Sequence, residues 1–202
     1  MTTSTSLSHR QRQAARTRQA VAAAARSLFA AHGYVATSIQ AISDKSQIPV
    51  PTIYSAFGAK PAILEEVRRN WIQESQVENL YREAMTLALP RERLRRAAHW
   101  TRKQFELGHD VIAVYQEAAR ADGRVARTWQ QALHVREAAV AELIASCKSD
   151  LRPRLSRKDA LDIYVACTLP EAYRTLVIER GWSAGRYEAW LAGVLVDQLL
   201  GP

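Results

Sequence analysis

The chain has 202 residues, 48% of them hydrophobic, with eight glycines and seven prolines. That suffices for one sizeable domain or two small ones around a real core, and the abundance of Ala and Leu with few β-branched runs favours an all-α fold. The net charge of +8 is uneven, since residues 1–60 hold seven Arg/Lys against the single acid Asp44 while residues 61–202 hold 21 against 19. A basic module on a nearly neutral body points to a polyanion, nucleic acid ahead of a membrane surface, with a solvated basic face as the plain alternative.

Residues 1–9 are polar, and Arg10, Arg12, Arg16 and Arg18 lead into a helix with the apolar stripe Val21, Ala25, Leu28 and Phe29. His32-Gly33 stops it, because glycine takes a left-handed conformation without steric cost. Thr37-Ser-Ile-Gln40 has the T-x-x-Q pattern of a capping box, with Thr37 as the cap of a short helix that turns Ile39 and Ile42 inward. Two prolines then stand one residue apart in Ser43-Asp-Lys-Ser-Gln-Ile-Pro-Val-Pro-Thr-Ile-Tyr-Ser-Ala-Phe57. A residue before proline is biased out of helical geometry, so Ile48 and Val50 are expected extended and the next helix to start at Pro51 without a side-chain cap. Ile53 and Phe57 face inward four residues apart, Gly58 ends that helix, and Pro61 opens another.

From Pro61 the periodicity predicts one connecting helix as far as Pro90, then helices over 91–107, 110–121, 124–149, 156–180 and 184–200. Gly108, Asp122-Gly123, Arg152-Pro153 and Gly181 divide them, Ser156-Arg-Lys-Asp159 resembles a cap, and Pro170 is expected to kink its helix. The last helix carries Tyr187, Trp190, Leu191, Val194, Leu195, Val196, Leu199 and Leu200, more than one apolar face. Its second buried side belongs to a subunit interface or to the monomer core.

Several function classes lose support. Cys147 and Cys167 form no CxxC pair, and His9, His32, His99, His109 and His134 show no metal-ligand spacing, so neither metal nor cofactor is expected. There is no signal-like apolar stretch at the start and no run of 18 apolar residues, which predicts a soluble protein of the cytoplasm that leaves the membrane alone. Gly181-Trp-Ser-Ala-Gly185 fits G-x-S-x-G, but no His follows His134, so a hydrolase elbow at Ser183 is rejected in favour of Ser183 capping the last helix, and no enzyme is expected. The Arg91, Arg93, Arg95, Arg96, Arg102 and Lys103 cluster spreads around its helix as a solvated face would, and Glu65-Glu66 lacks a catalytic setting.

Two short helices joined by a tight turn, preceded by a stabilising helix within the most basic part of the chain, form the helix-turn-helix pattern. Ala23-Ala-Ala-Arg-Ser-Leu-Phe-Ala-Ala-His-Gly-Tyr34, Thr37-Ser-Ile-Gln-Ala-Ile42, Val50-Pro-Thr-Ile-Tyr54, Phe57, Lys60 and Leu64 resemble, in order and spacing, the TetR family of bacterial transcriptional regulators. A weaker resemblance runs through Leu176-Val-Ile-Glu-Arg-Gly-Trp-Ser183 and the helix after it.

The resemblance implies an all-helical homodimer of about nine helices per subunit. Its helix-turn-helix domain would span 1–60, with a basic arm at 1–18 and the motif at 37–57, and a ligand-binding and dimerisation domain would span 61–202. It further implies a repressor that leaves a palindromic operator on double-stranded DNA when a small-molecule effector binds. Thr37 and Ser38 would touch phosphate, Val50, Pro51, Thr52 and Ser55 would face the major groove, and Tyr54 and Lys60 would hold the DNA backbone.

The residue types suit those roles: Tyr and Lys beside helix amides bind phosphate, while small hydroxyls and apolar groups discriminate base edges. Arg10, Arg12 and Arg16 form either a minor-groove arm or a disordered basic tail. Where family turns carry a small residue and Gly, this chain has Ser46-Gln47, and a left-handed Gln is costly, so a different turn type is expected. Trp100, Phe105, His109, Tyr115, Trp129 and Tyr173 are candidates for the ligand pocket, with Gln116 and Glu117 as nearby polar groups. Tyr164, Trp190, Leu191, Val194 and Leu195 are candidates for the dimer interface. The rival reading is a helical small-molecule-binding or enzymatic protein whose basic head binds nucleic acid only non-specifically.

Overall fold

In the computed structural model, which describes residues 8–201, helix α1 (His9–His32) starts on a reciprocal cap. Ser8 Oγ accepts from the Gln11 amide at 3.2 Å while the Gln11 side chain accepts from the Ser8 amide at 2.8 Å, which settles two of the orphan donors of a helix start. The arm expected over 1–18 is therefore helical from His9, and its first seven residues lie outside the described ones. Gly33, at φ 81, ends α1 with its amide on the Phe29 carbonyl.

Helix α2 (Ile39–Ser46) is capped by Ser38, whose Oγ accepts from the Ala41 amide at 3.0 Å. This corrects the capping box placed on Thr37: the Thr37 hydroxyl donates to the Gly33 carbonyl at 2.8 Å, and Gln40 reaches Asp44 instead of turning back. The turn also departs from expectation. Gln47 does take the left-handed conformation (φ 57, ψ 28), with its side-chain amide donating to the Asp44 carbonyl at 2.6 Å and the Ser43 hydroxyl donating to the Ile48 carbonyl at 2.7 Å. These local bonds offset the strain of a β-carbon in that region.

Helix α3 (Val50–Phe57) begins one residue earlier than proline bias suggested. Pro49 is extended (φ −57, ψ 142), its carbonyl accepts from Thr52 and Ile53, and Val50 is already helical with Pro51 in the first turn. Gly58, at φ 70, closes α3 on the Tyr54 carbonyl.

The connecting segment is two helices, α4 (Lys60–Ser75) and α5 (Val77–Thr86), because Gln76 stands at φ 53 between them. The division expected at Gly108 is there: α6 (Pro90–Ala121) is kinked at that residue, whose backbone is non-helical (φ −152, ψ 20), so a helical segment lies on either side. Trp71 explains that glycine. A β-carbon on Gly108 would lie 2.0 Å from the Trp71 Nε1, and the indole N–H donates to the Gln104 carbonyl at 2.9 Å.

Helix α7 (Gly123–Ser146) follows, then a single 3-10 turn, Lys148–Asp150. Helix α8 (Arg157–Cys167) is capped by Ser156 on the Asp159 amide. Pro170 does not kink one long helix but starts a new one: α9 (Pro170–Tyr173) continues as a π-type segment, Arg174–Glu179. Helix α10 (Ala184–Leu199) is capped by Ser183, which accepts from the Arg186 amide at 3.2 Å, the structural role preferred for that serine. No strand occurs among the described residues, and no helix among them is long and apolar enough to cross a membrane.

The chain divides into two compact units: a head unit of Met1–Asn70 with Ala113–Ala126, and a body unit of Trp71–Ile112 with Arg127–Pro202. Val21, Ala25, Phe29, Ile42, Ile53 and Leu64 are buried at the centre of the head unit, together with Tyr115 and Ala118 from α6. Leu94, Leu143, Ile144, Tyr164, Tyr187 and Leu191 are buried in the body unit.

Candidate nucleic-acid interface

Eight residues make α3, and only Ile53 and Phe57 among them are buried. Spaced by one helical turn, they fix which way the helix faces and leave Pro51, Thr52, Tyr54 and Ser55 exposed, with Val50 half-buried. Tyr54 is 51% exposed, so its ring and hydroxyl stand open on the outward face. Ser38, at the start of α2, is exposed as well. Thr37 is only 3% exposed and its hydroxyl is committed to Gly33, so it shapes the turn and Ser38 presents the hydroxyl.

Lys60 is not an outward cation. Its Nζ donates to the carbonyls of Tyr34 at 2.8 Å and Thr37 at 2.9 Å, and sits 4.4 Å from the Tyr34 ring centroid. Burial pulls its pKa below the usual lysine range against the opposing charges of Glu117 and Asp122. Burial likewise pushes the Tyr34 phenol up to about 12, with Asp122 acting in the same direction.

The same turn is held from a distant part of the chain. Glu117, on the last turns of α6, accepts from the backbone amides of Tyr34 at 3.2 Å and Val35 at 3.3 Å. Gly33 lets it approach, since a β-carbon there would stand 2.9 Å from both carboxylate oxygens. Glu117 therefore belongs to the head and not, as the sequence suggested, to the polar side of a ligand pocket. Nothing local in the sequence signals a contact over more than eighty residues.

Arg18 supplies the third tie. Its guanidinium donates to the Ala56 carbonyl at 2.7 Å, pairs with Glu66, and lies 4.3 Å from the Phe57 ring centroid, so it fastens α1 to the end of α3. Arg10, Arg12 and Arg16 are exposed on the first turns of α1. A short helix with an exposed polar face, an exposed serine cap at the helix before it, and basic side chains on the same unit can place phosphate ligands around a base-reading surface.

Residues 21–67, all within the head unit, match the family model of bacterial regulatory proteins, tetR family. Over these residues the head is similar to the DNA-binding domain of that family. The described residues have the all-helical fold that the sequence predicted. No curated protein matches the chain by sequence.

Solved structures match it in fold. FadR of Bacillus subtilis, in complex with stearoyl-CoA, is 18% identical at a TM-score of 0.72, over 89% of this chain and 98% of that one. A protein of Saccharomonospora viridis in complex with choline is 19% identical at 0.73, over 93% and 100%. The ketosteroid transcriptional regulator of Mycobacterium tuberculosis is 20% identical at 0.67, over 92% and 95%. At these identities the likeness speaks for the fold.

The body unit brings some of the ligand candidates together and scatters others. Phe105 and His109 lie beside Tyr173, with ring centroids 5.6 and 6.5 Å away. Trp100 pairs with Tyr81 at 5.8 Å, and Trp129 is half-buried on α7. Tyr115 belongs to the head unit, where its hydroxyl donates to Glu65 at 3.0 Å. Among the described residues there is no cluster of potential metal ligands.

The interface candidates divide too. Tyr164, Leu191 and Leu195 are fully buried within the body, so they are core residues of the subunit, while Trp190 and Val194 are half-buried. Among the residues that α10 leaves exposed are Gly185, Ala189 and Gly193, four residues apart, along an open groove of about 560 Å³ that also includes Arg91, Arg95, Glu188 and Asp197.

Proposed function

We propose that this protein is a homodimeric repressor that reads two half-sites of a palindromic operator with α3 and leaves the DNA when a small molecule binds its body. The outward face of α3 carries the reading. Thr52 and Ser55 offer hydroxyls to base edges, Val50 and Pro51 offer apolar contact to thymine methyls, and Tyr54 and Ser38 reach phosphate. Lys60, Glu117 and Arg18 act one step back by holding the turn and the helix that aim those groups. Arg10, Arg12 and Arg16 add sequence-independent attraction from a helix rather than an extended arm.

Dimerisation through α10 fits its exposed stripe of small residues, which lets two helices approach closely, and the flanking Arg91, Arg95 and Glu188 supply both signs that a self-complementary interface requires. Release follows from linkage. An effector that binds the DNA-incompetent form of the dimer more tightly lowers operator affinity by that differential affinity, and DNA weakens effector binding equally. Support for an effector comes from proteins of the same fold solved with choline and with stearoyl-CoA.

The test is sequence preference. Thr52→Ala is expected to change which duplexes are bound, at about 1–3 kcal/mol for the affected base pair. Tyr54→Phe is expected to weaken all duplexes alike. Should both variants weaken every site equally, α3 does not read bases.

A further inference from the structure

We infer that the carbonyls of Tyr34, Val35 and Thr37 form a cation site in the head, filled by the ammonium of Lys60, and that Lys60 is a positioning residue that makes no bond to DNA. The inference rests on the DNA-reading function above and assigns a separate role within it.

The loop between α1 and α2 has its main chain tied on both sides. Its amides at Tyr34 and Val35 point to the Glu117 carboxylate, while its carbonyls at Tyr34, Val35 and Thr37 accept from Lys60 Nζ at 2.8, 3.4 and 2.9 Å. The Gly33 carbonyl takes the Thr37 hydroxyl. An anion thus serves the donors of this loop, and a cation serves its acceptors.

Three acceptors converging on one point call for a group with three N–H bonds, which an ammonium has and a neutral amine lacks. The Tyr34 ring lies 4.4 Å away from Nζ and offers the electron-rich face that attracts a cation. The charges of Glu117 and Asp122 favour the protonated form against the cost of burial. With its N–H bonds engaged in this way, the ammonium can reach a phosphate only by giving up a loop carbonyl.

Its place in the chain gives the tie a consequence. Lys60 opens α4 three residues after Phe57, the buried end of α3, and the Thr37 carbonyl it holds belongs to the peptide bond leading into Ser38, the cap of α2. One ammonium therefore joins the end of the reading helix to the start of the helix before it. Ser38 and the outward face of α3 need that fixed spacing to meet one duplex together.

Three measurements on the full chain test this, with a duplex that the wild type retains at low salt as the probe. In the first, the Lys60 ammonium of the wild type is followed by nitrogen NMR. Its N–H signal is expected without DNA, protected from exchange by the carbonyls, and is expected to gain no coupling to phosphorus when duplex is added. A signal absent without DNA, or one coupled to phosphorus with it, would overturn the inference.

In the second, Lys60→Ala is compared with the wild type across a range of salt. Affinity is expected to fall about tenfold while the slope of log affinity against log salt stays the same. Unchanged affinity, or a slope shallower by about one as for a lost phosphate contact, would overturn it.

In the third, propylammonium, which replaces the side-chain atoms that Lys60→Ala removes, is added to that variant, with tetramethylammonium at equal concentration as the control. Propylammonium is expected to restore retention in a saturable way, and tetramethylammonium, which has no N–H, is not. Equal effects of the two ions would overturn the cation site. Should Lys60→Ala fail to fold, the first measurement decides alone. Wild-type protein that retains no duplex defeats the regulator reading and leaves the ammonium signal of the free protein to test the cation site, whereas failure of the Lys60 tests with duplex binding intact defeats only this inference.

Discussion

The head and the body of this protein are held together in different proportions of polar ties and ring packing. In the head, each tie that shapes the helix-turn-helix is completed: Glu117 on the Tyr34 and Val35 amides, Lys60 on the carbonyls beyond them, Ser43 on Ile48, and Arg18 on Ala56 and Glu66. In the body, the core is assembled from aromatic rings, and the buried hydroxyl of Tyr187 has no hydrogen-bond partner. A surface that must meet DNA in one geometry gains from satisfied polar ties, because each has a definite direction. A core packed from rings depends instead on complementary shape.

The largest expected effect lies in the body. Gly108→Ala drives a β-carbon into Trp71 and should lower stability by about 3 kcal/mol, measured by denaturant unfolding. A neutral result would mean that the rings of the body do not pack as closely as the Trp71 contact requires. In the head, Glu117→Ala removes the acceptor of two backbone amides and should cost about 2 kcal/mol, with faster hydrogen exchange at Tyr34 and Val35. If exchange there is unchanged, the polar ties do not hold the head and the contrast with the body collapses.

Ser38→Ala removes the cap of α2 and should cost about 1 kcal/mol, while Thr37→Ser, which keeps the bond to Gly33, should cost less. The reverse order would return the cap to Thr37.

Acid behaviour gives the smallest expected effect and treats the two regions alike. Burial raises the Glu188 carboxyl's pKa, but Arg102 and His99 outweigh it and hold the pKa below its ordinary 4.5; Arg68 and Tyr115 do the same for Glu65 in the head. Each contribution is present above pH 4.5 and is lost as pH falls through the lowered folded value. Glu188→Gln should therefore flatten the decline of Tm below pH 4.5 and leave the neutral range less affected.

Much of the fold was legible because helix ends carry local chemistry. Gly33, Gly58, Ser156 and Ser183 stop or cap helices where the residue types indicated. The places where reading by residue type went astray are those settled by neighbours. Thr37 and Ser38 are both competent caps, and the buried bond from Thr37 to Gly33 decides between them. Gln47 tolerates a left-handed turn because its own side chain and Ser43 complete the turn's carbonyls.

At the candidate interface, α3 was legible from Ile53 and Phe57, whose spacing leaves a single outward face. The inward role of Lys60 was not, since a lysine at a helix start suits a phosphate and a turn of carbonyls equally well. The role of Glu117 depends on which distant segments meet, and no local pattern encodes that.

Selection of bound duplexes from a random pool, in the presence of competitor DNA and across a range of salt, tests the central claim most directly. The account predicts enrichment of a palindromic site, affinity that falls steeply with salt as phosphate contacts are screened, and an altered site for Thr52→Ala. Binding without sequence enrichment, or no retention of any duplex at low salt, would contradict it.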